Sequence, residues 1–308
     1  MITTAKLQRH PSVFAKMTGL RVDEFDRWIE PVLARFADAE AARLSQRQRQ
    51  RALGGGDHAS LDACDQVLLT LVWLRLYPTH DVLGFLFGVS QPTVGRYLTH
   101  VLPVLEQIGV DTLRQPDPGR KRRRSLGALL SDVPELNVIV DSFEQPVQRP
   151  QRAADRDGWY SGKKRSHTLK VQVAVDADTD RLVAVSASVP GRTADITLLK
   201  QSGVLTHLPA GVGCLGDSAY QGIAKLHPLG RSPFKRNKHS PPLTAAQRAY
   251  NHSFARIRIR VENTIGRLRH FQCLTQRDRQ HRCISNHHAR VLAVAGLVNF
   301  QLHHRFAA

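Results

Sequence analysis

Apolar residues Phe25, Trp28, Ile29, Val32, Leu33 and Phe36 recur at close to helical spacing, so the run from Asp23 to Leu53 predicts one long amphipathic helix. Its later part turns polar and rich in Arg and Gln, and Gly54-Gly55-Gly56 ends it. Its apolar stripe is either domain core or a surface for self-association. A second helix starts at Ser60, a hydroxyl suited to an N-cap, runs through Gln66–Leu74 and stops at Pro78. Its apolar face is wide, which predicts the core of a first domain. His80 to His100 then reads as two helices across a tight turn, with Asp81–Phe87 first, Gly88 at the turn, Ser90 as cap and Gln91–Val104 second. Leu83, Phe87, Val89, Val94 and Tyr97 fall where crossing helices bury apolar groups. Gly84 is small at the crossing, and Gly88 tolerates the positive φ of the turn.

From residue 136 the pattern changes to that of strands. Leu136–Phe143 is continuously apolar, and Thr168–Asp176 alternates, turns at Asp176–Asp180 and returns as Arg181–Val189. Gly191 ends that hairpin, and Thr193 is placed to cap a short helix over Ile196–Gln201. Gly211–Ser218 predicts another strand and Ser232–Lys238 a last short one. Thr244 caps a long helix reaching about Arg269, and His287–Phe300 is an apolar C-terminal helix. Helices followed by mixed strands and helices predict an all-α domain over residues 1–114 and an α/β domain over 136–308. Residues 115–135 form the linker. Its Pro and Gly residues break structure, and Arg120-Lys121-Arg122-Arg123-Arg124 is either a solvated charge run or a strap that follows phosphates.

Charge sharpens this division. The 308 residues carry a formal net charge of +18. Residues 1–119 hold 13 Lys/Arg and 13 Asp/Glu, whereas residues 120–308 hold 31 against 13. A polyanion such as DNA is therefore expected mainly on the second part. No apolar run approaches the roughly 20 residues of a membrane span, and the polar stretch Met1–Leu20, broken by Pro11, is not a signal peptide. Cys64, Cys214, Cys273 and Cys283 are scattered without a C-x-x-C pair, which suits a reducing cytosol. Cys273 and Cys283 lie near His281, His287 and His288, but the spacing matches no standard zinc pattern. These features predict a cytoplasmic protein that works at the nucleoid, without a membrane partner.

Three acids stand in local sequences suited to chemistry. Asp141 ends Val138-Ile139-Val140, Asp217 follows Cys214-Leu215-Gly216, and Glu262 lies in the Arg-rich helical run Arg258–Glu262. Carboxylates at strand ends are where an open α/β sheet holds its site. Three of them in a basic protein suggest divalent metals acting on a phosphodiester. Asp195 competes with Asp217 as second acid, although it equally suits the first turn of a helix, and Glu144 is a further substitute. Lys163-Lys164-Arg165 and Lys170 form either a solvated hairpin end or a phosphate-binding edge. Arg258 lies one turn before Glu262, where it can orient that carboxylate or bind phosphate. At the start of the second turn helix, Ser90, Gln91, Thr93 and Arg96 face outward, where a recognition helix meets base edges. The same pattern also fits an ordinary helical hairpin.

Five blocks in order then carry a family likeness. They are Val140-Asp141-Ser142 with Gln148-Arg149-Pro150; Tyr160 through Lys170; Pro190-Gly191-Arg192-Thr193-Ala194-Asp195; Gly216 through Gly222; and Asn251 through Arg269. There are 75 residues between the aspartates and 44 before the glutamate. The chain resembles DDE transposases of bacterial insertion sequences, in the group whose catalytic domain is shared with PIF/Harbinger transposases. The likeness implies a ribonuclease-H-like mixed sheet flanked by helices, preceded by an all-α helix-turn-helix domain. It implies that Asp141, Asp217 and Glu262 bind two Mg²⁺ (or Mn²⁺) ions for DNA strand cleavage and strand transfer. The partners it implies are terminal inverted repeats and target DNA, bound by a homo-oligomer. The related signature Tyr-x2-Arg-x3-Glu-x6-Lys is kept at Arg258 and Glu262. Ala255 replaces its Tyr, and Arg269 replaces its Lys with charge retained as a DNA contact. Two alternatives are an idle DNA-binding regulator derived from a transposase and a metal nuclease that does not join strands.

Overall fold

A computed structural model of the chain describes residues 1–45, 59–119, 130–236, 241–279 and 283–307. Gly54-Gly55-Gly56, the Arg120–Arg124 run, Lys238 and His281 lie outside the described residues. The chain forms two compact units. The first comprises Met1–Asp111, Arg269–Gln276 and Ala289–Gln301; the second comprises Thr112–Leu268, Arg277–His288 and Leu302–Ala308.

The first unit is helical. α1 (Thr4–Gln8), α2 (Pro11–Thr18) and α3 (Val22–Ser45) precede α4 (Ala63–Leu76). The α3 stripe is core, with Trp28 and Phe36 only 4% and 5% exposed. All of α4 from Asp65 to Leu74 is buried, as its wide apolar face demands. Asp62, rather than Ser60, caps it, and its carboxylate accepts the Asp65 N–H at 2.7 Å. A carboxylate gains there from the helix dipole as well as from the hydrogen bond. α5 (His80–Phe87) ends at Gly88 with φ +70°, and α6 (Gln91–Thr112) follows, carrying Pro103 within it. Gly84 has no room for a side chain: a Cβ would come within 2.5 Å of the Val89 carbonyl oxygen.

The second unit carries a seven-stranded mixed sheet. β1 (Asn137–Pro146) is central, antiparallel to β3 (Ser166–Asp176) on one side and parallel to β6 (Gly213–Gly216) on the other. β2 (Tyr160–Ser161) pairs with β3, and the short parallel β7 (Gly230–Arg231) extends the far edge. β4 (Leu182–Val185) and β5 (Val189–Pro190) also pair with β3, so the single return strand expected over Arg181–Val189 is split in two. The last strand comes earlier than Ser232–Lys238 because pairing with Cys214 and Leu215 selects Gly230 and Arg231. α7 (Ala153–Trp159), α8 (Asp195–Gln201), α9 (Ile223–Leu226) and α10 (Ala245–Arg269) accompany the sheet, and α11 (Ile284–Ala307) closes the chain. Thr244 starts α10 by a reciprocal exchange. Its hydroxyl accepts the Gln247 N–H at 3.2 Å, and Gln247 Oε1 accepts the Thr244 N–H at 3.0 Å. This is an α/β, ribonuclease-H-like sheet flanked by helices, preceded by a helical region.

Candidate active site and nucleic-acid interface

The last paired residues of the parallel strands β1 and β6 are Val140 and Gly216. Asp141 and Asp217 therefore follow at the same register on adjacent strands, where the sheet opens. Asp141 Oδ1 accepts the Ser142 N–H at 2.7 Å, and Asp217 Oδ1 accepts the Ala219 N–H at 2.8 Å. Burial drives the Asp141 pKa up, and the Ser142 N–H opposes it. The nearby Asp217 charge raises it further, and Arg258 and Lys163 oppose, leaving it pushed up to about 6. Asp217 thus lies near enough to act on Asp141, and Arg258 and Lys163 compensate only in part.

Glu262 stands on α10 with its side chain 56% exposed. One guanidinium spans the first and third acids: Arg258 Nη2 lies 3.4 Å from Glu262 Oε1 and 3.8 Å from Asp141 Oδ2. α10 is fixed from its other face. Arg260 Nη1 donates to Asp180 Oδ1 at 2.5 Å, and Thr264 Oγ1 donates to the Asp180 carbonyl at 3.0 Å. Asp180 sits in the β3–β4 turn with φ +59°. The hairpin turn read from the sequence thereby anchors the helix that carries the glutamate.

The competing acids have a different setting. Asp195 Oδ1 accepts the Ser142 hydroxyl at 2.7 Å and Lys170 Nζ at 2.9 Å. Glu144 Oε1 lies 3.7 Å from the same ammonium. Lys170 was expected at a phosphate-binding edge. It is instead buried, 6% exposed, because Asp195 at the start of α8 covers that face of β3. Lys163, Lys164 and Arg165 do lie together, exposed, in the turn between β2 and β3. Thr193 does not cap α8; its carbonyl accepts Lys170 Nζ at 2.7 Å. Sequence reasoning missed Tyr220, which is fully buried and within reach of the charges of Asp195, Asp141 and Asp217. Its hydroxyl accepts Gln172 Nε2 at 2.8 Å, and burial holds it protonated. The signal was Gly216: a Cβ there would meet the Tyr220 ring at 2.6 Å.

In the first unit, Ser90, Gln91 and Arg96 are exposed at the start of α6, and Thr93 is half-buried between them. Ser90 Oγ and Thr93 Oγ1 lie 2.9 Å apart, and Arg96 Nη2 donates to Thr93 Oγ1 at 2.9 Å. Leu83, Phe87, Val94 and Tyr97 are buried behind them. Arg269 is exposed at the end of α10.

Sequence comparison places both regions. Residues 59–110 match the model of the helix-turn-helix of DDE superfamily endonucleases. Residues 140–299, more than half the chain, match that of the DDE superfamily endonuclease itself. The chain belongs to the DDE superfamily endonucleases. A protein named "Probable transposase for insertion sequence element IS702", from Microchaete diplosiphon, is 28% identical over 291 residues, covering 94% of each chain. A second, named "Putative transposase for insertion sequence element IS112", from Streptomyces albus G, is 26% identical over 93% of this chain and 99% of its own.

DDE endonucleases generally use divalent ions, and the donor chemistry here suits them. Asp141, midway along β1, and Asp217, just past β6, offer hard oxygens at one register beyond the last β1–β6 pair, and a cation would relieve the repulsion that Asp217 exerts on Asp141. Among the described residues no three or more His, Cys, Asp or Glu side chains already converge as a metal cluster. Glu262 is turned onto Arg258 and solvent instead. Among those residues, too, no helix is long and apolar enough to cross a membrane.

Proposed function

We propose that this DDE endonuclease is a DNA transposase that binds terminal inverted repeats and carries out metal-dependent strand cleavage and strand transfer. The observation that carries this reading is the common register of Asp141 and Asp217 on neighbouring parallel strands, linked through Arg258 to Glu262. In it, the three carboxylates hold two Mg²⁺ or Mn²⁺ ions. When bound, the ions would lower the pKa of an attacking water or DNA 3′-hydroxyl and stabilise the leaving oxygen of an in-line displacement. Arg258 orients Glu262 and offers its guanidinium to the scissile phosphate. Lys163, Lys164 and Arg165 hold the DNA backbone beside Asp141, and Arg269 adds a further phosphate contact. Ser90, Gln91, Thr93 and Arg96 read base edges of the repeat, with Arg96 suited to guanine and Gln91 to adenine. The protein acts in the cytosol on nucleoid DNA, as an oligomer holding two element ends.

Strand joining separates this reading from a simple nuclease. Purified protein, a labelled duplex from the element end and a supercoiled target plasmid should yield plasmid carrying the covalently joined label in Mg²⁺. Cut ends that never join would leave the nuclease reading. Sequence-specific binding without any cutting would leave the regulator.

A further inference from the structure

The segment Pro190-Gly191-Arg192-Thr193-Ala194-Asp195 supplies none of the three acids assigned above, yet it is built tightly into the fold. A Cβ on Gly191 would come within 1.8 Å of Thr168 Oγ1, so the segment passes β3 only because residue 191 is glycine. Past that point it delivers two acceptors to one buried ammonium, the Thr193 carbonyl at 2.7 Å and Asp195 Oδ1 at 2.9 Å. Lys170 stands directly across the ladder from Glu144, which also accepts the Thr168 hydroxyl at 2.7 Å. The side chains of Lys170, Glu144 and Asp195 are 8%, 6% and 13% exposed.

Burying such charges is costly until pairing offsets it. Pairing does so only in a narrow geometry, so the cluster fixes position more than it adds stability. Its direct hydrogen-bonded route to Asp141 runs through Ser142. That residue gives its hydroxyl to Asp195 Oδ1 and its N–H to Asp141 Oδ1, both at 2.7 Å.

We infer that Lys170 and Asp195 are positioning residues for Asp141: they lock Ser142, and Ser142 sets the Asp141 carboxylate for its metal. The inference rests on the reading of Asp141 as a metal ligand, and metal binding without DNA tests the two separately. Mn²⁺ alone is titrated calorimetrically into the chelator-stripped full chain, with thermal unfolding of each variant alongside. Asp141→Asn should abolish the binding that involves this carboxylate. Lys170→Met should weaken Mn²⁺ about tenfold or more, and Ser142→Ala, which keeps every buried charge paired, about threefold. A cooperatively folded Lys170→Met protein that binds Mn²⁺ within twofold of wild type overturns the inference, because a purely structural lysine would change stability alone. If Lys170→Met does not fold, Ser142→Ala decides, and unchanged affinity there overturns it. Wild type that binds Mn²⁺ no better than Asp141→Asn would instead remove the metal reading itself, and the inference with it.

Discussion

Asp141 carries a conflict that pH exposes. Its pKa in the fold is pushed up from 3.8 to about 6 by burial and by Asp217. The folded state therefore binds this proton more tightly than the unfolded chain does. The stability tied to it is complete below about pH 4 and is lost as pH rises through about 6. At neutral pH the cost amounts to roughly 2–3 kcal/mol. In chelator, Asp141→Asn should be the more stable protein at pH 7, with the gap closing toward pH 4. Denaturant unfolding across that range checks this, and parallel curves for the two proteins would contradict it. The placement of Asp141 and Asp217 beside one another on the sheet was legible in the sequence because each follows an apolar, strand-forming run. Lys170 was not: alternation in Thr168–Asp176 marks its face as polar, and packing against it, with Asp195 brought in by α8, makes that face interior. Nor does local sequence tell that Glu144 and Asp195 share one ammonium while Asp141 and Asp217 do not.

At the scale of elements, the helix-turn-helix was legible because Gly84, Gly88 and the buried positions serve one geometry. The structure supplies the crossing at Gly84 and the left-handed Gly88. Short pairings were harder. β4, β5 and β7 exist because a neighbouring strand offers free backbone groups, and that depends on the partner rather than on local pattern. For α6, Gln91→Ala and Arg96→Ala should each remove about 1–3 kcal/mol of preference for the inverted repeat. Binding to random duplex should change far less. Competition binding at fixed salt measures both, and equal losses on the two DNAs would end the assignment of α6 as recognition helix.

For the whole molecule, net charge governs association. The +18 lies entirely in residues 120–308, which repel their own copies until DNA neutralises them. The apolar stripe of α3 is mainly core: Trp28 and Phe36 are buried in the first unit, and Ile29 and Leu33 are half-buried. Free protein is therefore expected as a monomer or weak dimer, and protein on element-end duplex as a stable dimer or larger complex. Light scattering with and without that duplex checks this; one copy per duplex at saturation would contradict it. At this scale the sequence was least legible. Ala289–Gln301 belongs to the first unit although some 180 residues separate it from α6. A Cβ on Gly109 would meet the Leu292 carbonyl oxygen at 2.0 Å, a proximity that no local pattern announces.

Asp141, Asp217 and Glu262 are expected to form one metal-dependent DNA-cutting site. Cleavage of a labelled inverted-repeat duplex in Mg²⁺ or Mn²⁺ by wild type, Asp141→Asn, Asp217→Asn, Glu262→Gln and Asp195→Asn tests it most directly. Cleavage should disappear in the first three variants, with duplex binding retained, and persist at a reduced rate in Asp195→Asn. Full cleavage by Asp217→Asn together with none by Asp195→Asn would contradict the account and move the second acid to the start of α8.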